Sequence, residues 1–297
     1  MTTRPIPIHR VSFTGAEGNK LVGDAIGHHG RAVLLLHGGG QTRHAWRNTG
    51  QAIARAGMTA YAVDQRGHGD SEWVPSGKYS FNDFAADARE LADQLATRTG
   101  ARPVIAGASL GGIAALTAEG EAAKLGHDPL FGGLVLVDIT PRVDPSGVAK
   151  VTGFMREHAR DGFASVEDAA DAVAAYLPHR PRPASNEGQK KNLRLHDDGR
   201  WRWHWDPRFL EGRGPDAVNR TERERALQDA AKSLKKPVLL VRGGSSELVQ
   251  EEHVKEFLTL VPHATYADVA GARHMVAGDR NDQFSEAILK FLNDLKN

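Results

Sequence analysis

The sequence predicts an α/β fold in which a mostly parallel, doubly wound sheet carries an inserted helical lid. Three observations predict it. Short apolar runs recur at 32–36, 59–63, 104–106, 134–137 and 238–241, separated by segments with helical spacing. That rhythm, about thirty residues per unit, belongs to βαβ units whose strands are covered on both faces. One run, from Pro103 to Gly112, passes without a break from strand to sharp turn to helix. Between about Pro141 and Lys236 the rhythm stops, and then it resumes. Residues 1–140 and 237–297 are therefore the expected core, and 141–236 the expected lid.

Each element has its own signal. Residues 8–13 and 20–26 alternate around Gly15-Ala16-Glu17-Gly18-Asn19 and predict an antiparallel hairpin. Ala32-Val33-Leu34-Leu35-Leu36 predicts a strand buried on both faces, ended by His37-Gly38-Gly39-Gly40. A helix over 46–56 leads to a strand at 59–63, stopped by Asp64-Gln65-Arg66-Gly67-His68-Gly69-Asp70. Phe81, Phe84, Ala85, Ala88, Leu91, Ala92 and Leu95 set a helix over 80–97. After the turn at Ser109 come a helix from Leu110 and a strand ending at Asp138. In the lid, helices are expected at 148–159, 166–176 and 220–232, with a Pro/Arg-rich joint from Pro178 to Pro183 and an aromatic patch at Trp201, Trp203, Trp205 and Phe209. The core resumes with a strand at 238–241, a helix at 250–261, a strand at 264–269 and a helix at 282–295.

Composition narrows the functional classes. With 38 basic against 37 acidic residues in a chain of 297, there is no net field to draw in nucleic acid or an acidic membrane. Cysteine is absent, which removes disulfides, thiolate metal sites and cysteine nucleophiles together. No cluster has metal-ligand spacing, the first ten residues, Met1 to Arg10, do not read as the apolar h-region of a secretory leader, and no run of about eighteen apolar residues occurs. A cytoplasmic protein without cofactor, acting on a small molecule, is the expectation; oligomeric state is not legible.

The chemistry centres on Gly107-Ala108-Ser109-Leu110-Gly111. A serine at the apex of a strand-to-helix turn sits in a strained conformation, which glycines two residues either side accommodate, and its hydroxyl projects from the sheet edge. Serine needs a base, a group to orient that base, and donors for the developing oxyanion. Of fourteen histidines, His274 follows the last strand and so reaches the same sheet edge. The Leu110 N–H at the helix start and the Gly39 N–H in the loop after residue 36 are the expected oxyanion donors. His37-Gly38-Gly39-Gly40 lacks the lysine of a phosphate loop and the spacing of a dinucleotide fingerprint. Two carboxylates fit the orienting role: Asp138, at a strand end, and Glu247, just past the strand at 238–241. Ser246 is placed to assist the imidazole.

These pieces together resemble the α/β-hydrolase family over nearly the whole chain. The resemblance rests on His37-Gly38-Gly39-Gly40, Asp64-Gln65-Arg66-Gly67-His68-Gly69-Asp70-Ser71, Gly107-Ala108-Ser109-Leu110-Gly111-Gly112, and His274 before Met275-Val276-Ala277-Gly278-Asp279. It is similar to lidded bacterial hydrolases of epoxide-hydrolase-like or peroxidase-like type. Epoxide hydrolases and dehalogenases of that fold use an aspartate nucleophile, which Ser109 replaces here, so the resemblance implies ester chemistry. The Gly-x-x-Asp acid usual after the seventh strand would fall on Ser246 from Gly243, or reach Glu247 from Gly244. An esterase subgroup that looks similar pairs Val-Asp-Ile-x-Pro with Gly-Gly-x-Ser, which favours Asp138. The implied activity is a serine hydrolase of carboxylic esters working through an acyl-enzyme. Cleavage of a carbon–carbon bond, or peroxide in place of water, is the alternative on the same residues. A non-catalytic small-ligand receptor is the alternative from another class.

Further residues bear on the substrate. His44 and Trp46, past the oxyanion loop, are expected to border the substrate; Trp203 and Trp205, with Trp201 and His204, are candidates for pocket walls, although alternate aromatic spacing is more often plain packing. Ala108 leaves room beside the serine. His68 reads as a turn residue, and Arg180-Pro181-Arg182-Pro183 and Lys190-Lys191 as solvated lid surface.

Overall fold

Adjacent residues of a strand face opposite sides of a sheet, so an apolar run must find cover on both. The computed structural model, which describes residues 4–178, 185–211, 220–274 and 281–295, supplies it. Leu34 and Leu36 enter one core, with α2 (Phe81–Thr99) and α3 (Leu110–Lys124). Val33 and Leu35 of the same strand, β3 (Ala32–Leu36), enter another, with α1 (Arg47–Arg55) and α10 (Asn281–Asp294). This is the doubly wound arrangement.

Among the described residues the sheet has eight strands in the order β1-β2-β4-β3-β5-β6-β9-β10. Its strands are β1 (Ile8–Thr14), β2 (Lys20–Ile26), β3, β4 (Thr59–Val63), β5 (Val104–Ala108), β6 (Gly133–Val137), β9 (Val238–Gly243) and β10 (Thr265–Val269), with α9 (Glu251–Leu260) joining the last two. β1 and β2 form the expected hairpin, and β2 meets β4 antiparallel; all remaining neighbours are parallel. Because β3, β5, β6, β9 and β10 run the same way, the segments after Leu36, Ala108, Val137, Gly243 and Val269 collect at one edge. That edge is where ligands of open parallel sheets bind.

Between β6 and β9 the chain leaves the sheet through α4 (Pro145–Glu157), α5 (Val166–Tyr176), α6 (Glu187–Lys190), β7 (Leu193–Leu195), β8 (Trp201–Trp203), α7 (Arg208–Glu211) and α8 (Arg220–Lys232). The sequence suggested helices alone here. The structure adds a hairpin, with Leu193 opposite Trp203 and Leu195 opposite Trp201. Its signal was present: Trp201 and Trp203 have the period of a strand, and Asp198-Gly199 is turn chemistry. The residues Arg180 to Pro183 of the expected joint, and the Met275 to Asp279 motif, lie outside the described residues.

Candidate active site

Ser109 ends β5 and caps α3 with φ 44° and ψ −106°. Only one other non-glycine residue among those described has positive φ: Asp138, at 49°, at the end of the neighbouring β6. Such conformations cost of order 1–3 kcal/mol and concentrate where function requires them. The strain at Ser109 depends on glycine neighbours, since a Cβ on Gly107 would overlap the Gly111 carbonyl, and one on Gly111 the Leu36 carbonyl. The turn itself is held by the Ser109 N–H, which donates to Val137 O at 3.1 Å.

Asp138 is fully buried. Its Oδ1 accepts the Gly243 N–H at 2.9 Å, and its Oδ2 accepts the Ser246 hydroxyl at 2.5 Å and meets His274 Nδ1 at 2.7 Å. Ser246 is fixed in turn, because its oxygen accepts the N–H groups of Leu248 and Val249, each at 3.1 Å. A Cβ on Gly243 would collide with the Arg273 and Ala272 carbonyls, so glycine lets the loop bearing His274 settle against the end of β9. Ser246 thus touches the carboxylate rather than the imidazole.

Glu247 goes elsewhere. Its carboxylate faces Lys150 and Arg273, each at 3.3 Å. Burial pushes its pKa up, but a backbone hydrogen bond and these two cations outweigh burial and hold it below the usual carboxylate range. Of the two carboxylates, Asp138 is the one that meets His274. The Ser109 hydroxyl is half-buried and has no hydrogen-bond partner among the described residues.

Across the turn at Ser109 stands the loop after β3. Gly38 lies against Ser109, a Cβ on it falling 3.6 Å from the serine Cβ. The Gly38 N–H donates to Gln41 Oε1 at 3.1 Å, and the Gly40 N–H to His68 Nε2 at 3.1 Å. The Gly39 N–H between them has no acceptor among the described residues, and neither has the Leu110 N–H at the start of α3. Two unspent donors therefore flank the serine.

Three buried imidazoles brace that loop. His37 Nε2 accepts the Gln65 N–H at 3.1 Å, so the proton is on Nδ1, which donates to Gly38 O at 2.8 Å. Burial pushes its pKa down. His68, beyond its place in the turn, contacts Arg66 O through Nδ1 at 2.9 Å while Nε2 takes the Gly40 N–H. His204 comes from the inserted segment and reaches Gly40 O. Asp64 locks the neighbouring loops together: its carboxylate accepts Arg43 N–H at 2.6 Å and Asp70 N–H at 2.9 Å and pairs with the buried Arg43 guanidinium.

The expected pocket residues divide. Trp205 is buried beside the glycine loop after β3, its Nε1 3.6 Å from a Cβ on Gly40. Trp203 is buried against Phe154 and Phe163. Trp46 differs from the expectation: it lies in the α1/α10 core, 5.8 Å from the Phe284 ring, because the turn before α1 aims it under the sheet. His44 is half-buried at a cavity of about 250 Å³ shared with Thr42, Lys191, Arg194 and His204. A groove of about 1180 Å³, bordered by Arg102, Lys236 and Lys290, opens at the strand-start edge and contains none of the residues at the Ser109 edge.

A strained serine at a strand end, an imidazole–carboxylate pair after later strands, and an open glycine loop after the first parallel strand define an α/β-hydrolase site in outline. The comparisons agree: the alpha/beta hydrolase family model matches residues 33–287, and the chain belongs to that family. It is 33% identical over 236 residues to the esterase Rv0045c of Mycobacterium tuberculosis, covering 78% of this chain and 72% of the relative. A structure of that esterase superposes with TM-score 0.74 at 29% identity, covering 99% and 94% of the two chains. Identity to the 2-(acetamidomethylene)succinate hydrolase of Mesorhizobium japonicum is 30% over 239 residues, covering 79% and 78%. To the non-heme chloroperoxidase CPO-A1 of Kitasatospora aureofaciens it is 27% over 281 residues, covering 89% and 93%. The chain is thus a hydrolase, with relatives named as esterases. Among the described residues no helix is long and apolar enough to cross a membrane.

Proposed function

We propose that this hydrolase cleaves carboxylic esters of small acyl substrates, with Ser109 as nucleophile, His274 as general base and Asp138 as the acid that orients it. The observation that carries this reading is the 2.7 Å contact between His274 Nδ1 and the buried Asp138 carboxylate. A carboxylate there keeps the ring proton on Nδ1 and leaves Nε2 free to take the serine proton. Ser109 Oγ then attacks the ester carbonyl, and the Gly39 and Leu110 N–H groups receive the oxyanion. His274 returns the proton to the leaving alcohol, giving the acyl-enzyme. Water, deprotonated by the same imidazole, attacks the acyl carbon and releases acid and free Ser109. The reading requires His274 Nε2 to lie within about 2.6–3.2 Å of Ser109 Oγ once substrate is bound. The inserted segment serves as lid over the sheet edge.

Rapid mixing with a p-nitrophenyl ester tests it. A burst of one nitrophenol per active chain, followed by slower turnover, is expected, and Ser109→Ala abolishes both; turnover that survives Ser109→Ala refutes it. The similarity to a chloroperoxidase favours a second reading of the deacylation step, in which hydrogen peroxide replaces water and the acyl group leaves as a peracid. Peracid formed in proportion to added peroxide, at the expense of free acid, distinguishes the two.

A further inference from the structure

His204 belongs to the inserted segment, yet it is buried against two loops of the core. Its Nδ1 accepts the Gly69 N–H at 2.7 Å, so that nitrogen carries no proton. The proton is then on Nε2, which donates to Gly40 O at 3.2 Å. Burial, as the largest cause, pushes its pKa down to about 3, so the ring stays uncharged throughout the neutral range, and its two hydrogen bonds hold this tautomer. The backbone around it is tied down as well: the His204 N–H donates to Asn192 O at 3.0 Å and the Asp206 N–H to Gly67 O at 2.8 Å.

The bond to Gly40 O does more than fill a lone pair. Gly40 C=O and Gln41 N–H are the two ends of one peptide group, and the Gln41 N–H donates to Gly38 O at 3.1 Å. Gly38 C=O and Gly39 N–H are the two ends of another. The series runs from His204 Nε2–H through the 40–41 peptide and the 38–39 peptide to the Gly39 N–H, with every dipole pointing the same way. Each hydrogen bond in such a chain fixes the orientation of the next peptide and polarises it. His37, donating to Gly38 O, enters the same series one step later.

We infer that His204 is a positioning residue for the oxyanion site: the inserted segment, through two aligned peptide groups, aims and strengthens the Gly39 N–H. The inference rests on the esterase reading above and adds that the oxyanion site is complete only when the segment bearing His204 is seated. Donors aimed in advance at the developing charge act on kcat, because they are used in the transition state more than in the bound substrate.

Two substitutions divide the ring's functions. His204→Asn keeps an oxygen near the Nδ1 position for the Gly69 N–H but falls short of Gly40; His204→Gln keeps a donor near the Nε2 position and gives up the Gly69 contact. On an aryl ester, His204→Asn is expected to lower kcat about tenfold with KM within threefold of wild type. Its affinity for an aryl trifluoromethyl ketone, which binds as an oxyanion, weakens by a similar factor. His204→Gln is expected to stay within threefold in kcat. The reverse order, or an unimpaired folded His204→Asn, overturns the inference and leaves His204 a structural anchor. If His204→Asn does not fold, His204→Gln decides: kcat within threefold supports the inference, and a folded variant losing more than tenfold overturns it. Absence of Ser109-dependent ester turnover in the wild type overturns the esterase reading and this inference together, whereas an unimpaired His204→Asn beside normal wild-type turnover overturns the inference alone.

Discussion

The two sides of Ser109 use the same side chain for opposite purposes. On the β6/β9/β10 side, His274 is half-buried and faces a buried carboxylate. On the β3/β4 side, His37 and His204 are buried and spend both ring nitrogens on backbone groups. An imidazole beside a carboxylate, with one nitrogen open, is equipped to carry a proton; one buried with both nitrogens bonded to the backbone stays neutral and serves as a rigid donor–acceptor spacer. Environment, not residue type, assigns the role. The strain follows the same division, for Asp138 and Ser109 have positive φ while the other side relies on glycines.

The largest expected effect separates the two carboxylates on the His274 side. Asp138→Asn leaves the shape of the site intact but presents the wrong hydrogen-bond partner to His274, and a loss of about 10⁴-fold in kcat is expected. Glu247→Gln, measured in the same ester assay, stays within threefold; comparable losses in both variants would erase the distinction. A smaller loss is expected from Ser246→Ala, which removes one of the three donors to the Asp138 carboxylate and leaves the Gly243 N–H and His274 Nδ1. A drop of about tenfold in kcat with little change in KM is the expected outcome, and KM rising while kcat holds would assign Ser246 to substrate binding instead.

The spacer side gives the smallest effect, and it appears in stability. His204 has a folded pKa of about 3 against 6.5 for the free side chain. Between those values the unfolded chain binds a proton there that the folded chain does not, so stability is full above pH 6.5 and falls as the pH drops towards 3. The slope from this one group is at most about 1.4 kcal/mol per pH unit. Denaturant unfolding of His204→Gln between pH 6.5 and 4 is expected to show an acid slope shallower by up to that amount. An unchanged slope would mean that His204 titrates alike in the folded and unfolded chains.

How much of this the residues announced differs between the two sides as well. The strands of the sheet were legible because burial on both faces demands continuous apolar runs, and the boundaries of β3, β4 and α5 were read to the residue. Ser109 and its glycines were legible because the turn has a local signature. The partner of His274 was not fixed by spacing, since Asp138 and Glu247 both follow strands of the same sheet; register and the direction of a side chain separate them. The spacer histidines were illegible for a deeper reason. His204 sits among tryptophans that read as a pocket wall, and the bond that gives it meaning spans 164 positions of sequence. Trp46 shows the converse, a residue close in sequence to the glycine loop after β3 that lies under the other face of the sheet.

Covalent labelling with a fluorophosphonate, followed by mass mapping of the modified peptide, addresses the nucleophile without reference to any substrate. One adduct per chain on Ser109 is expected, formed far more slowly in Asp138→Asn and His274→Ala. An adduct on another residue, or none under conditions that label a known serine esterase, would contradict the assignment of Ser109.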